Sequence, residues 1–203
     1  MSYEKSGNVQ KAQGDLASAL KCYNDSLAIR DRLAKSNPGN ALWQRDLAVS
    51  YIKAGDVQMA KGDLAGALKS YQDDLAIADK LAKADPGNAE WQRDLSVSYN
   101  KIGDVQVAQG DLAGALKSYK DSLAIADKLT KSDSGNADWQ RDLAVSFAKL
   151  GSVHQSGDRA KALDALGQGQ TIMSRLTKLS PDNAKWKRDL AWFDGQIAEL
   201  AER

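Results

Sequence analysis

Several residue types are nearly absent from this 203-residue chain: it has one cysteine, one histidine, three prolines and two phenylalanines. The lone cysteine, Cys22, excludes an intramolecular disulfide, and its counterparts in later copies of the sequence are Ser70 and Ser118. The lone histidine, His154, has no second histidine, no metal-spaced ligand set and no glycine-rich phosphate loop beside it. It is expected to be an exposed residue near a helix end. Charge of one sign is missing too, since 28 basic residues balance 27 acidic ones for a net +1. That balance gives no electrostatic reason to propose nucleic acid or an acidic membrane as partner. The short basic cluster Lys185, Lys187 and Arg188 sits beside Asp189 and reads as a solvated helix face. No apolar run reaches the roughly 18 residues of a membrane span, and the first residues lack a signal-peptide core. The expectation is a soluble, cytoplasmic protein.

What the chain has in abundance is itself. Residues 41–88 and 89–136 agree at 37 of 48 positions. Trp43, Trp91 and Trp139 keep this period, and Trp186 follows one residue early because "LGSVHQSGD" is a residue shorter than "IGDVQVAQGD". The expected units are 1–40, 41–88, 89–136, 137–183 and a capping helix at 184–203, all in one array.

Each unit carries two helical patterns. In the third copy Trp91, Leu95, Tyr99 and Ile102 fall on one face of a helix running from about Ala89 to Gln109. Leu112, Leu116, Tyr119, Leu123 and Ala126 do the same from about Leu112 to Lys131. Ile125 and Leu129 add a second apolar edge, so this helix should touch neighbours on two sides. Gly110 can end the first helix in the left-handed conformation and Asp111 can cap the next. The pair recurs as Gly14-Asp15, Gly62-Asp63 and Gly157-Asp158. Between units, Asp85-Pro86-Gly87-Asn88 is a turn with Asn88 as N-cap. Loops this short make consecutive helices antiparallel neighbours.

These landmarks resemble the tetratricopeptide repeat, whose pattern runs aromatic, Leu-Gly, Ala-x3-aromatic, Pro. Tyr99, Ile102-Gly103 and Ala115-x3-Tyr119 fill those places, as do Tyr51, Ala54-Gly55, Ala67-x3-Tyr71 and Pro86. The family's usual unit is about 34 residues, so each helix here gains about two turns. The "SLAI…LAK" stretch is similar to the long-helix repeats of kinesin light chains. The resemblance implies an all-α, right-handed solenoid of stacked antiparallel helix pairs, about nine helices in all. Copies must stack, because one pair cannot cover its own apolar faces. The tryptophan and tyrosine ladders are then packing residues.

The two ends differ. "MSYEKSGNV" aligns with Val49–Val57, so the chain opens in the middle of a first helix. At the other end Asp194 stands where Tyr99 stood, and Asp194, Gln196 and Glu199 suit a solvent-facing cap. The expectation is the C-terminal part of a longer protein.

Catalytic chemistry finds no foothold. Asp73 and Asp74 are adjacent, and neighbouring helical residues diverge by about 100°; the third copy has Asp121-Ser122 there. No enzyme activity, cofactor or metal is expected. In a solenoid of this family the first helices line the concave groove, as the resemblance implies. Opposite Trp91 the groove would carry Arg93, Val97, Asn100 and Asp104, with Lys101 beside them. The counterparts are Arg45, Val49, Ile52, Asp56 and Lys53, then Arg141, Val145, Ala148, Ser152 and Lys149; Lys5 and Asn8 begin the row. Such arginine, lysine and acid-or-amide ladders can hold an extended or helical peptide. Alternatively they pair with Asp46, Asp94, Asp56 and Asp104 and only support the helices. Glu4, Ile52, Asn100 and Ala148 differ at equivalent places, as selective reading or drift at exposed positions would produce. Some family members grip a C-terminal carboxylate with Lys and Asn in this groove, a pattern from which Asp56 and Asp104 depart. The expected function is a non-catalytic scaffold that binds a protein or peptide partner. The alternative is a self-associating or spacer module of a larger signalling protein, joined through its truncated first helix.

Overall fold

The computed structural model describes residues 3–202, and among them every regular element is a helix. The chain divides into two compact units between Gly110 and Asp111. The first holds α1 (Tyr3–Ala12), α2 (Leu16–Ser36), α3 (Ala41–Ala60), α4 (Leu64–Ala84) and α5 (Ala89–Ala108). The second holds α6 (Leu112–Ser132), α7 (Ala137–His154), α8 (Arg159–Leu179) and α9 (Ala184–Glu202). Within each unit every helix packs on the next, and in the first unit α3 also touches α5. Connections inside the units are only three or four residues long, so successive helices run antiparallel. The fold is all-α, built of stacked helix pairs.

The helix ends follow from side-chain chemistry. Asp63 accepts from the Gly66 N–H at 2.9 Å, and Asn88 accepts from the Trp91 N–H at 3.2 Å. Asp15, Asn40, Asp111, Asn136 and Asp158 cap their helices the same way. Gly62 and Gly110 take φ of 78° and 81°, which a side chain would resist. Gly157 was expected to do likewise and does not. The one-residue deletion changes the turn, α7 stops at His154, and Gln155 closes it with a bond to the Gly151 carbonyl. His154 itself is half-buried rather than exposed.

Two packing contacts repeat. Within a pair, a ring or branched side chain of the second helix lies on a glycine of the first. Tyr23 sits against Gly7, Tyr71 against Gly55 and Leu166 against Gly151. Tyr23, Tyr71 and Tyr119 are buried, while Trp43, Trp91, Trp139 and Trp186 are half-buried. Burying each large side chain contributes about 1.5–3 kcal/mol. Between a second helix and the next first helix runs a row of polar positions. Arg30 Nη1 donates to Ser50 Oγ at 2.6 Å, Asp74 meets Ser98, and Ser122 and Ser146 lie 3.2 Å apart. At α8–α9 the row turns apolar, with Phe193 pressed on Gly169.

Candidate groove of the first helices

The expected ladders lie on α1, α3 and α5 in the first unit, and on α7 in the second. Most of their charges are joined to one another. Arg45 Nε donates to Asp94 at 2.5 Å and Arg45 Nη1 to Glu90 at 3.1 Å. Lys101 donates to Asp56 Oδ1 at 2.6 Å, and the same oxygen accepts from the Tyr71 hydroxyl at 2.7 Å. Lys53 pairs with Glu4, which Arg30 also reaches at 2.5 Å. In the second unit Arg141 donates to Asp189 at 2.7 Å. Apart from Arg30–Glu4, the ion pairs join positions 45 to 49 apart in sequence, so each spans from one copy to the next. They tie successive first helices together. The bond from Lys53, helped by Arg30, holds the Glu4 carboxyl below its usual range against partial burial. The bond to Asp94 likewise raises the Arg45 guanidinium.

The remaining groove residues include both polar and apolar side chains. Asn8 is exposed and accepts from the Tyr23 hydroxyl at 2.8 Å. Lys5 and Arg93 are exposed; Asp104 and Lys149 are half-buried. Asn100 is half-buried, and its buried Oδ1 meets no protein donor. Val49, Ile52 and Val97 line a cavity of about 30 Å³ between α3 and α5, together with Ala48 and Ala78. A cavity of about 90 Å³ lies between α7 and α9, lined by Ala144, Val145, Ala148, Met173 and Trp192. Position for position these are the same cavity. Ala48 corresponds to Ala144, Val49 to Val145, Ile52 to Ala148, Ala78 to Met173 and Val97 to Trp192, allowing for the deletion. Trp192 is 42% exposed and packs edge-on against Phe193.

Sequence reasoning found the ladders but not the cavities, nor Trp192 as a member of the row. The signal was available, since Trp192 aligns with Val97 once the deletion is placed. Asp74 was read beside Asp73 and belongs elsewhere. Asp73 accepts from Lys69 on its own helix at 3.3 Å, whereas Asp74 turns inward and is 2% exposed. Among the described residues no group of three or more His, Cys, Asp and Glu side chains could hold a metal ion. No described helix is long and apolar enough to cross a membrane.

No family model and no curated protein matches the chain. Solved structures do resemble it. A protein from Podosopora anserina with nearly identical TPR-like repeats, described as a candidate kinesin light chain, superposes with a TM-score of 0.65. It shares 17% identity, over 99% of this chain and 89% of its own. The yeast histone chaperone Hif1 gives a TM-score of 0.57 at 12% identity, over 99% and 94% of the two chains. BtubC (BKLC) from P. vanneervenii gives 0.53 at 16% identity, over 92% and 83%. At these identities the likeness is one of fold, and that fold is the tetratricopeptide-like helical repeat.

Proposed function

We propose that this array of tetratricopeptide-like helix pairs is a non-catalytic scaffold that takes up a partner segment on the face of its first helices. The observation that carries the reading is the recurrence of one apolar cavity at equivalent positions in both units. In each unit the cavity marks an apolar point on the face of the first helices against which a small apolar group of a partner can pack. The paired charges support the framework around it, so the partner is read by shape and apolar contact more than by charge. Val49, Ile52, Val97, Val145, Ala148 and Trp192 would touch the partner. Arg45, Lys53, Asp56, Lys101 and Arg141 would hold the helices in place. Hif1 is described as a scaffold protein recruiting protein complexes to core histones, a role of the same kind. A reducing cytoplasm suits a chain whose single, half-buried thiol, Cys22, is free.

The test is selection of a random peptide library against the full chain, followed by binding of the enriched peptides to variants. Val97→Asp and Val145→Asp should abolish binding while the helical circular dichroism stays, and Lys101→Gln should keep it. Enrichment of nothing, or equal loss on replacing residues of the opposite face, defeats the proposal.

A second reading has its own observation. Leu33 of α2 is 42% exposed, while its counterparts Leu81, Leu129 and Leu176 are 8%, 8% and 2% exposed. Ile29, one turn before it on the same helix, is 38% exposed. Self-association through this end would cover them. Mass rising with concentration in light scattering, and falling back in Leu33→Lys, is the expected sign.

A further inference from the structure

Asp74 is out of keeping with its surroundings. It is 2% exposed at the junction of α4 and α5, and it borders the cavity behind Val49 and Val97. No protein donor reaches its Oδ2. Among the described residues its side chain bonds Ser98, whose hydroxyl also lies 3.0 Å from the Asp94 carbonyl as a donor. One hydroxyl proton cannot serve both oxygens.

The charged groups facing it oppose one another: Lys101 favours an anion, while Asp94 and Asp56 disfavour it. From α3 come Arg45 and Asp56, from α5 Asp94 and Lys101, and from its own helix Tyr71. Arg45 is bonded to Asp94 and Glu90, and Lys101 is bonded to Asp56. The Tyr71 hydroxyl donates to Asp56 as well. Two acids therefore face Asp74, and both nearby cations hold other partners. A buried carboxylate normally needs a cation or two to three donors, and here it has one shared hydroxyl. The cavity of about 30 Å³ admits roughly a single water, too little to solvate a charge.

The equivalent position in the next copy shows a neutral arrangement. Ser122 stands in the place of Asp74 and faces Ser146, which donates to the Asp142 carbonyl at 3.2 Å. In the first copy Ser50 likewise donates to the Asp46 carbonyl, at 3.0 Å, and accepts from Arg30, which comes from one turn further along the second helix. In both, the serine proton goes to its own helix and the group opposite can donate. Asp74 can fill that role only by carrying a proton. Burial pushes its carboxyl up to about 7.

We propose that Asp74 is a proton-operated latch: as a neutral acid it donates to Ser98 and holds α4 against α5, and loss of its proton loosens that junction beneath the cavity. The latch stands on the packing of the first unit and needs no ligand in the groove. The proton passes to solvent, leaving a carboxylate among Asp94, Asp56 and apolar side chains. Because the folded chain holds this proton more tightly than the unfolded one, stability is full below the unfolded value. It is lost as pH rises through neutrality and is constant above.

Two measurements on the full chain test this. Carbon-13 resonance of the Asp74 carboxyl, followed against pH, should titrate near neutrality in the wild type. Urea unfolding of wild type, Asp74→Ser and Asp74→Asn should then be compared between about pH 4 and pH 8. Across that window the wild-type folding constant should fall relative to Asp74→Ser by a factor on the order of a hundred to a thousand. Asp74→Asn, which cannot ionise, should follow Asp74→Ser in slope. A carboxyl that titrates below about pH 5, in the ordinary carboxylate range, or a wild-type-to-Ser difference that stays flat overturns the latch. The wild-type titration decides the matter even if neither variant folds.

Discussion

The Tyr71 ring of α4 lies so close to Gly55 of α3 that a Cβ built on the glycine would stand 2.5 Å from Cε1. The ring is 2% exposed and its hydroxyl is tied to Asp56, so it has nowhere to go. Gly55→Ala should therefore destabilise the chain by about 1–3 kcal/mol, even after the gain of about 1 kcal/mol in helix propensity. Gly167 of α8 is the control, because a Cβ there meets nothing within 4 Å. Gly167→Ala should stabilise by about 0.5–1 kcal/mol. Urea unfolding of both variants beside the wild type gives the two signs, and equal signs would contradict the packing described.

Tyr71 should also be silent to base. Burial first, then its bond to Asp56 and the charges of Asp56, Asp104 and Asp74, raise its phenol well above the usual tyrosine range. The folded chain keeps this proton where the unfolded chain has released it, so stability falls above about pH 10. In an alkaline titration followed by tyrosinate absorbance, wild type and Tyr71→Phe should ionise the same number of tyrosines before unfolding. They should differ by one afterwards. A difference of one before unfolding would show Tyr71 open to solvent.

Arg45 and Asp94 offer a measure of how firmly adjacent first helices are tied. Their side chains are 35% and 32% exposed, so solvent screens the pair. A double-mutant cycle with Arg45→Ala and Asp94→Ala should give a coupling of about 0.5–1 kcal/mol that shrinks in high salt. A coupling near zero at low salt would leave the ladder without a structural role.

The acid should be transplantable. Ser122 of α6 occupies the place of Asp74, is fully buried and faces Ser146. Ser122→Asp should give the second unit an added pH dependence, losing on the order of 1–4 kcal/mol between about pH 4 and pH 8 relative to wild type. Guanidinium unfolding at several pH values reads this directly, and an unchanged slope would mean that the position alone does not raise the acid.

How far the sequence reached can be seen at particular residues. The period of 48, the two helices per copy, the caps at Asp63 and Asn88 and the left-handed Gly62 and Gly110 were all legible. Each depends on residues within a turn or two of one another, where backbone geometry is already fixed. Gly55 and Tyr71 were each legible as landmarks of the repeat, while their contact is seen only once the two helices are packed. Gly157 was misread because a single deletion alters the turn without altering the dipeptide.

What the sequence by itself determined is therefore the helix pair and its repetition. Only the tertiary structure decided how the copies use their charges. Whether Arg45 offers its guanidinium to a partner or to Asp94, 49 positions away, depends on the step from one first helix to the next, which no local pattern encodes. Whether Asp74 faces water beside Asp73 or lies buried against Ser98 depends on the rotation of α4 between its neighbours. The desolvation that makes it a proton-binding group exists only once those neighbours are in place.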